Sequence, residues 1–191
     1  MSLVRCFVAA ELPEEVRAEL AALAKRLRSR GLDLRWVAPA SLHLTLKFLG
    51  EIPPETFEAV LRVLDEPVGL PGHVGPLRLA LSGVGAFPSP RRARVVWAGL
   101  AGDVATLART ALTLEARLEG VGVAREARPF AAHLTLGRSR GPAGVADLEK
   151  FLGEDRDFRG PEFEIWSLVL YESVLRPGGP LHTPKKTIPL Q

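Results

Sequence analysis

The tetrapeptide His-Leu-Thr-Leu occurs at residues 43–46 and again at 133–136, ninety positions apart, in a chain with only four histidines. Each copy has the same approach. An amphipathic stretch ends at a glycine, Gly31 or Gly120, a short extended piece follows, and the histidine comes twelve or thirteen residues after that glycine. Self-similarity that extends from a tetrapeptide to its flanking helix, glycine and strand is the mark of an internal duplication. A duplicated half with one such strand leaves few ways to fold: two similar lobes, each contributing an equivalent strand to a shared centre.

The elements around the repeats fit that plan. Residues 3–11 are short, apolar and β-rich, so they read as a strand; Pro13 then opens a helix whose apolar positions recur at three and four and which closes at Gly31. LDLRWVA and LHLTLKFLG are strand-like pieces separated by Pro39, Ala40 and Ser41, and Pro53 and Pro54 start a second helix reaching about Leu64. The first half is therefore β-α-β-β-α. In the second half LRLALSGVGAF and RVVWAGL read as strands, residues 103–119 as a helix closed by Gly120, and then comes the second HLTL strand. A further helix over 143–152 and a strand over 163–173 complete it, and the Pro/Gly-rich LRPGGPLHTPKKTIPL returns to an edge strand. No low-complexity linker divides the halves. The expectation is an α+β fold over residues 1–191: one bilobal domain, two mainly antiparallel sheets, helices outside and a central cleft.

Composition narrows the class of protein. With 47% hydrophobic and 25% charged residues the chain can bury a core, and it does not resemble a disordered or fibrous sequence. Net charge is +3 and the basic residues are mostly arginine, so a phosphate-bearing partner is accommodated without being demanded. Arginine grips phosphate bidentately, which draws attention to Arg91, Arg92 and Arg94 and to the arginines between Arg125 and Arg140. The single cysteine, Cys6, lies in the apolar run LVRCFVAA, excludes an internal disulfide and reads as a buried inert thiol. No apolar stretch approaches the length of a membrane helix and the first residues do not form a signal sequence, so the expected location is cytoplasmic and no membrane partner is expected.

On a strand, alternate side chains face alternate sides. His43 and Thr45 then share one face, Leu42, Leu44 and Leu46 the core face, and His133 with Thr135 repeats the pattern. By the same alternation Lys47 joins His43. Two imidazoles facing one cleft suit paired acid and base work near neutral pH, and threonine hydroxyls beside them can hydrogen-bond the oxygens of an anion held between. Phosphodiester cleavage needs this set: an attacking oxygen to deprotonate, a leaving oxygen to protonate and charge on phosphorus oxygens to stabilise. Neither motif has the spacing of a chelating pair, and His73 and His182 lie in Pro/Gly-rich text, so no metal site is expected.

The paired His-x-Thr-x motifs resemble those of the two-histidine phosphoesterase superfamily. RCFVAAELP, RWVAPASLHLTLKFLGEI, GAFPSPRRARVVWAGL and RPFAAHLTLGRS together are similar to the bacterial and archaeal 2′-5′ RNA ligase family, also described as RNA 2′,3′-cyclic phosphodiesterases. Family members often have proline just before the second histidine, where this chain has Ala132. The resemblance implies a bilobal fold, no cofactor or metal requirement, and hydrolysis of a terminal 2′,3′-cyclic phosphate to a 2′-phosphomonoester. It assigns His43 as proton donor, His133 as proton acceptor, and Thr45 and Thr135 to the phosphate oxygens; near symmetry of the two motifs means that spacing alone does not fix this direction. Arg128 and Arg138 are expected to contact phosphate, Phe130 to line a base or ribose pocket and Lys47 to add positive charge. The expected partners are RNA with a 2′,3′-cyclic phosphate end or a small cyclic nucleotide, bound by a monomer. Two other readings stay open: 2′-5′ ligation at the same site, and a non-catalytic module that binds RNA ends.

Overall fold

The computed structural model describes residues 2–68, 75–141, 145–177 and 179–190. The first part of the chain forms β1 (Val4–Ala10), α1 (Glu14–Ser29), β2 (Arg35–Trp36), β3 (Leu44–Ile52) and α2 (Pro54–Val63). Next come β4 (Leu77–Phe87), β5 (Arg92–Ala93), β6 (Val95–Gly102), α3 (Val104–Glu119) and β7 (Leu134–Arg138). The last part holds β8 (Val145–Ala146), α4 (Glu149–Leu152), β9 (Arg159–Ile165), β10 (Ser167–Val174) and β11 (Leu181–Pro189). Two antiparallel sheets dominate: a four-stranded sheet in the order β11-β10-β1-β3 and a five-stranded one in the order β2-β7-β6-β4-β9. The two HLTL copies are thus divided between the sheets, one entering β3 and the other β7. The α+β expectation with two mainly antiparallel sheets and outer helices holds.

The near-continuous apolar run of β1 follows from its position between β10 and β3, where both faces are covered. α1 begins after Pro13, carries Glu14 and Glu15 in its first turn and Arg26 and Arg28 in its last, matching the helix dipole, and ends before Gly31 at φ 90°. It buries Val16, Leu20, Leu23 and Leu27 on one stripe. That stripe does not cover the sheet from which α1 departs. α1 leaves β1 of the four-stranded sheet and packs against β9 of the other, with Arg26 and Arg30 both bonded to Asp155 (3.0 and 2.6 Å). Conversely, α3 leaves β6 of the five-stranded sheet and packs against β3 of the first as well as β4 of its own. The two sheets therefore share a single hydrophobic core that runs through both.

Two expectations change. The segment 163–173 is not one strand: β9 and β10 belong to different sheets, and the chain crosses between them at Trp166, whose side chain is exposed. The buried apolar positions slip by one residue there, from Phe163 and Ile165 to Leu168 and Leu170, with no glycine or proline to mark a boundary between the strands. The helix over 143–152 is reduced to the single turn of α4, because Val145 and Ala146 pair with Ala93 and Arg92 instead; residues 142–144, and His73, lie outside the described residues. The Pro/Gly-rich tail does return as an edge strand, β11.

Candidate active site

Each HLTL copy ends in a β-bulge at the same place. Thr45 pairs with Ala9 and Lys47 with Val8, leaving Leu46 as the extra residue; Thr135 pairs with Trp97 and Gly137 with Val96, leaving Leu136. Burial repeats in step: Leu44, Leu46 and Lys47 are buried in β3, as are Leu134, Leu136 and Gly137 in β7. A bulge turns two consecutive residues toward one side and resets the alternation beyond it. The duplication thus includes a local break in the ladder as well as a sequence motif.

Both histidines lie just ahead of their strands and are held in the same way. His43 Nδ1 is 2.8 Å from the carbonyl of Ser41, and His133 Nδ1 is 2.7 Å from the carbonyl of Ala131. A carbonyl can only accept, so Nδ1 carries the proton in each ring and Nε2 is left for chemistry. Aromatic rings fix the remaining freedom. Phe7 stacks on His43 at 4.8 Å between centroids, and Phe87 meets His133 edge-on at 5.0 Å, with Trp97 beyond at 6.4 Å. Trp97 lies flat over Gly85, its partner in the β4–β6 ladder; a Cβ on Gly85 would fall 2.3 Å from the indole. Burial holds His43 below the ordinary imidazole value of 6.5, opposed by its bond to Ser41 and reinforced by charge on His182.

A cavity of about 290 Å³ opens where the two motifs converge. Its walls include Thr45 from the first motif with Lys47 just after it, His133 from the second, and Arg128, Phe130 and Phe87. His43, Thr135 and Arg138 are not on that wall. Thr135 and Arg138 lie on the same face of the five-stranded sheet as Trp97, because the bulge returns Arg138 to the face that Thr135 occupies. Phe130 both borders the cavity and packs on the core.

Lys47 is placed otherwise than simple alternation predicts. The bulge turns it from the His43 and Thr45 face toward α3, where it is 3% exposed and donates to Glu115 Oε1 at 2.7 Å and to the carbonyl of Ala124 at 2.8 Å. The lysine bond is the main cause holding the Glu115 carboxyl below its ordinary value, and Glu115 also accepts the backbone N–H of Glu126. This cluster fixes the loop that leads to Arg128 and Phe130. Of the arginine-rich stretch after residue 124, Arg125 pairs with Glu119 and Arg140 with Asp33, whereas Arg128 and Arg138 have no acidic partner among the described residues.

Sequence reasoning passes over Phe7, Trp97 and His182. His182 meets His43 edge-on at 5.5 Å and Phe7 at 4.9 Å, so the tail strand brings a third imidazole to the first motif. The Gly85 and Gly99 positions that flank Trp97 are the one available signal, since glycine opposite an aromatic marks a place where a ring lies on the backbone. Cys6 is buried, and desolvation, aided by Glu172, pushes its thiol up to about 12. Among the described residues no three His, Cys, Asp or Glu side chains converge as metal ligands, and no helix is long and apolar enough to cross a membrane.

The family model described as LigT-like phosphoesterase matches residues 10–97 and 100–182, which span both motifs and nearly the whole chain. The chain belongs to that family. LigT-like relatives named RNA 2′,3′-cyclic phosphodiesterase occur in Methanothermobacter thermautotrophicus, 31% identical over 94% of this chain and 95% of the relative, and in Archaeoglobus fulgidus, 34% identical over 94% and 96%. Among solved LigT-like folds, TT0787 of Thermus thermophilus superposes with a TM-score of 0.76 at 31% identity, covering 97% of each chain. The LigT protein of E. coli complexed with 3′-AMP gives 0.73 at 26% identity over 98% of each.

Proposed function

We propose that this chain is a metal-independent RNA 2′,3′-cyclic phosphodiesterase, the activity named for its relatives, working as a single bilobal unit on RNA ends in the cytoplasm. The observation that carries the reading is the matched anchoring of two imidazoles. In each motif Nδ1–H is committed to a carbonyl two residues back, which leaves Nε2 as the reactive atom, with a threonine hydroxyl two residues on. A passive anion site has no need for two such groups; arginine would serve it better.

In this reading a 2′,3′-cyclic phosphate lies between the motifs. His133 Nε2 takes a proton from water as its oxygen attacks phosphorus, and His43 Nε2 delivers a proton to the departing 3′ oxygen, so the 3′ hydroxyl is restored and phosphate stays on the 2′ oxygen. Each imidazole ends in the state in which the other began, and proton exchange with solvent resets them. Burial favours neutral His43, while the donor role needs its protonated form; the anionic phosphate supplies the opposite charge that favours it. Thr45 and Thr135 donate hydroxyl protons to the non-bridging oxygens, Arg128 adds charge beside them, Arg138 adds charge to the RNA phosphates farther along the face that Thr135 occupies, and Phe130 borders the nucleoside. Lys47 lines the cavity while bonded to Glu115 and the Ala124 carbonyl, and so both fixes the loop and stands at the wall of the site.

The test is cleavage of an oligonucleotide ending in a 2′,3′-cyclic phosphate, in the presence of EDTA, with the product phosphate located by position. The expected product is the 2′-phosphate. His43→Ala and His133→Ala should each lower kcat by about 10² to 10⁴. A 3′-phosphate product would reverse the roles of the two histidines, and RNA binding without cleavage would make the chain a binding module.

A further inference from the structure

The edge of the five-stranded sheet places two arginines side by side. Arg35 on β2 is the direct cross-strand partner of Arg138 on β7, both are exposed, and neither has an acidic partner among the described residues. Like charges directly opposite one another destabilise a sheet. The next positions outward make the opposite choice, since Arg140 is paired with Asp33 at 3.1 Å. An uncompensated pair beside a compensated one is the pattern of a place where an anion supplies the missing charge.

The register says where that anion lies. Arg138 pairs with Val95 and Thr135 with Trp97, so Arg35, Arg138 and Thr135 all project from the cleft face of the sheet. Because Leu136 is looped out by the bulge, Arg138 stands about two strand residues, or roughly 7 Å, beyond Thr135. A 2′,3′-cyclic phosphate is by definition at the 3′ end of its strand, so RNA continues from it in the 5′ direction only. A second anion at that separation on one bound RNA is the phosphodiester joining the terminal nucleotide to the one before it.

We propose that Arg35, acting with Arg138, forms a subsite for that penultimate phosphodiester and makes the enzyme prefer RNA ends over cyclic mononucleotides; this rests on the phosphodiesterase reading above. Two guanidinium forks on adjacent strands can hold both non-bridging oxygens of a phosphodiester.

The experiment compares wild-type protein, Arg35→Gln and Arg35→Lys on adenosine 2′,3′-cyclic phosphate and on a trinucleotide ending in a 2′,3′-cyclic phosphate, across a salt series. Arg35→Gln should raise KM for the trinucleotide about tenfold with kcat unchanged, leave both constants for the mononucleotide unchanged, and reduce the slope of log(kcat/KM) against log[salt] by about 0.7. Arg35→Lys should keep the salt slope. Equal losses on both substrates, or no loss on either, would overturn the subsite. Because Arg35→Gln removes a like-charge pair it should also melt no lower than wild type, and a lower melting temperature would count against the proposal. If wild-type protein cleaves neither substrate, the phosphodiesterase reading fails. The subsite is then judged by fluorescence anisotropy with a labelled trinucleotide bearing a terminal 2′-phosphate: it stands if Arg35→Gln binds this probe more weakly and falls if the two proteins bind alike.

Discussion

His43 and His133 share a motif and an anchor but differ in their surroundings. His43 is packed between the face of Phe7 and the edge of His182, and burial is the largest cause of its lowered pKa. Opening that packing should undo the shift. In Phe7→Ala, water reaches the ring, and the His43 midpoint followed by its imidazole proton resonance should rise from below 6.5 toward that value. An unchanged midpoint would mean that desolvation by Phe7 is not the cause. The linked effect on stability has a definite sign. The folded pKa lies below the unfolded one, so the unfolded chain binds more protons in the window between the two, and unfolding free energy rises with pH up to about 6.5. The lowered pKa of His182 acts in the same direction and window, and because Phe7 touches both rings the part of the slope that Phe7→Ala removes belongs to the two histidines together.

At the scale of elements, the bulges that end the two motifs explain why the site is only partly visible in the sequence. Alternation correctly separates His43 and Thr45 from Leu44, but it carries Lys47 to the wrong side and would carry Arg138 away from Thr135. A bulge leaves no residue-type signature here, since Leu46 and Leu136 look like ordinary core positions. Helices bounded by Pro13, Gly31 and Gly120 are legible because their ends are punctuated; the β9 to β10 crossing is not, because only a one-residue slip of phase at Trp166 and Ser167, without glycine or proline, separates the strands. His182 is hidden for a different reason, as it arrives from an edge strand whose prolines obscure its pairing. The β4–β6 pair gives this scale its own test. Gly85 admits Trp97 across its backbone, and Gly85→Ala must displace the indole toward the cleft. Overpacking of this kind costs about 1 to 3 kcal/mol. The melting temperature should fall, tryptophan emission should shift, and KM should rise because Trp97 supports the face on which Thr135 and His133 stand. A variant that melts lower with KM unchanged would separate that support from stability alone.

For the whole molecule, the exchange of helices decides how the two halves behave. Duplicated lobes that each covered only their own sheet could unfold one at a time, but α1 belongs in sequence to β1 and in space to β9, and α3 belongs to β6 and bridges β4 to β3. Removing either sheet strips the apolar stripe of a helix that departs from the other. The two motifs are then held at a fixed separation by the same contacts that hold the fold, which suits the proposed site, in which two imidazoles act on one phosphate. Unfolding should therefore be a single transition. Denaturation in guanidinium, followed by tryptophan fluorescence, which reports on Trp36 and Trp97 in the five-stranded sheet and Trp166 at its end, and by the His43 resonance beside the four-stranded one, should give coincident midpoints. Leu20→Ala, at a fully buried position of α1, should lower stability by about 2 to 5 kcal/mol and move both probes together, since α1 touches β9 of one sheet and the Pro39–Ser41 turn that anchors His43 beside the other. Two separated transitions, or loss of the fluorescence signal ahead of the histidine signal, would show that the lobes fold independently and that the cleft is held by something other than the exchanged helices.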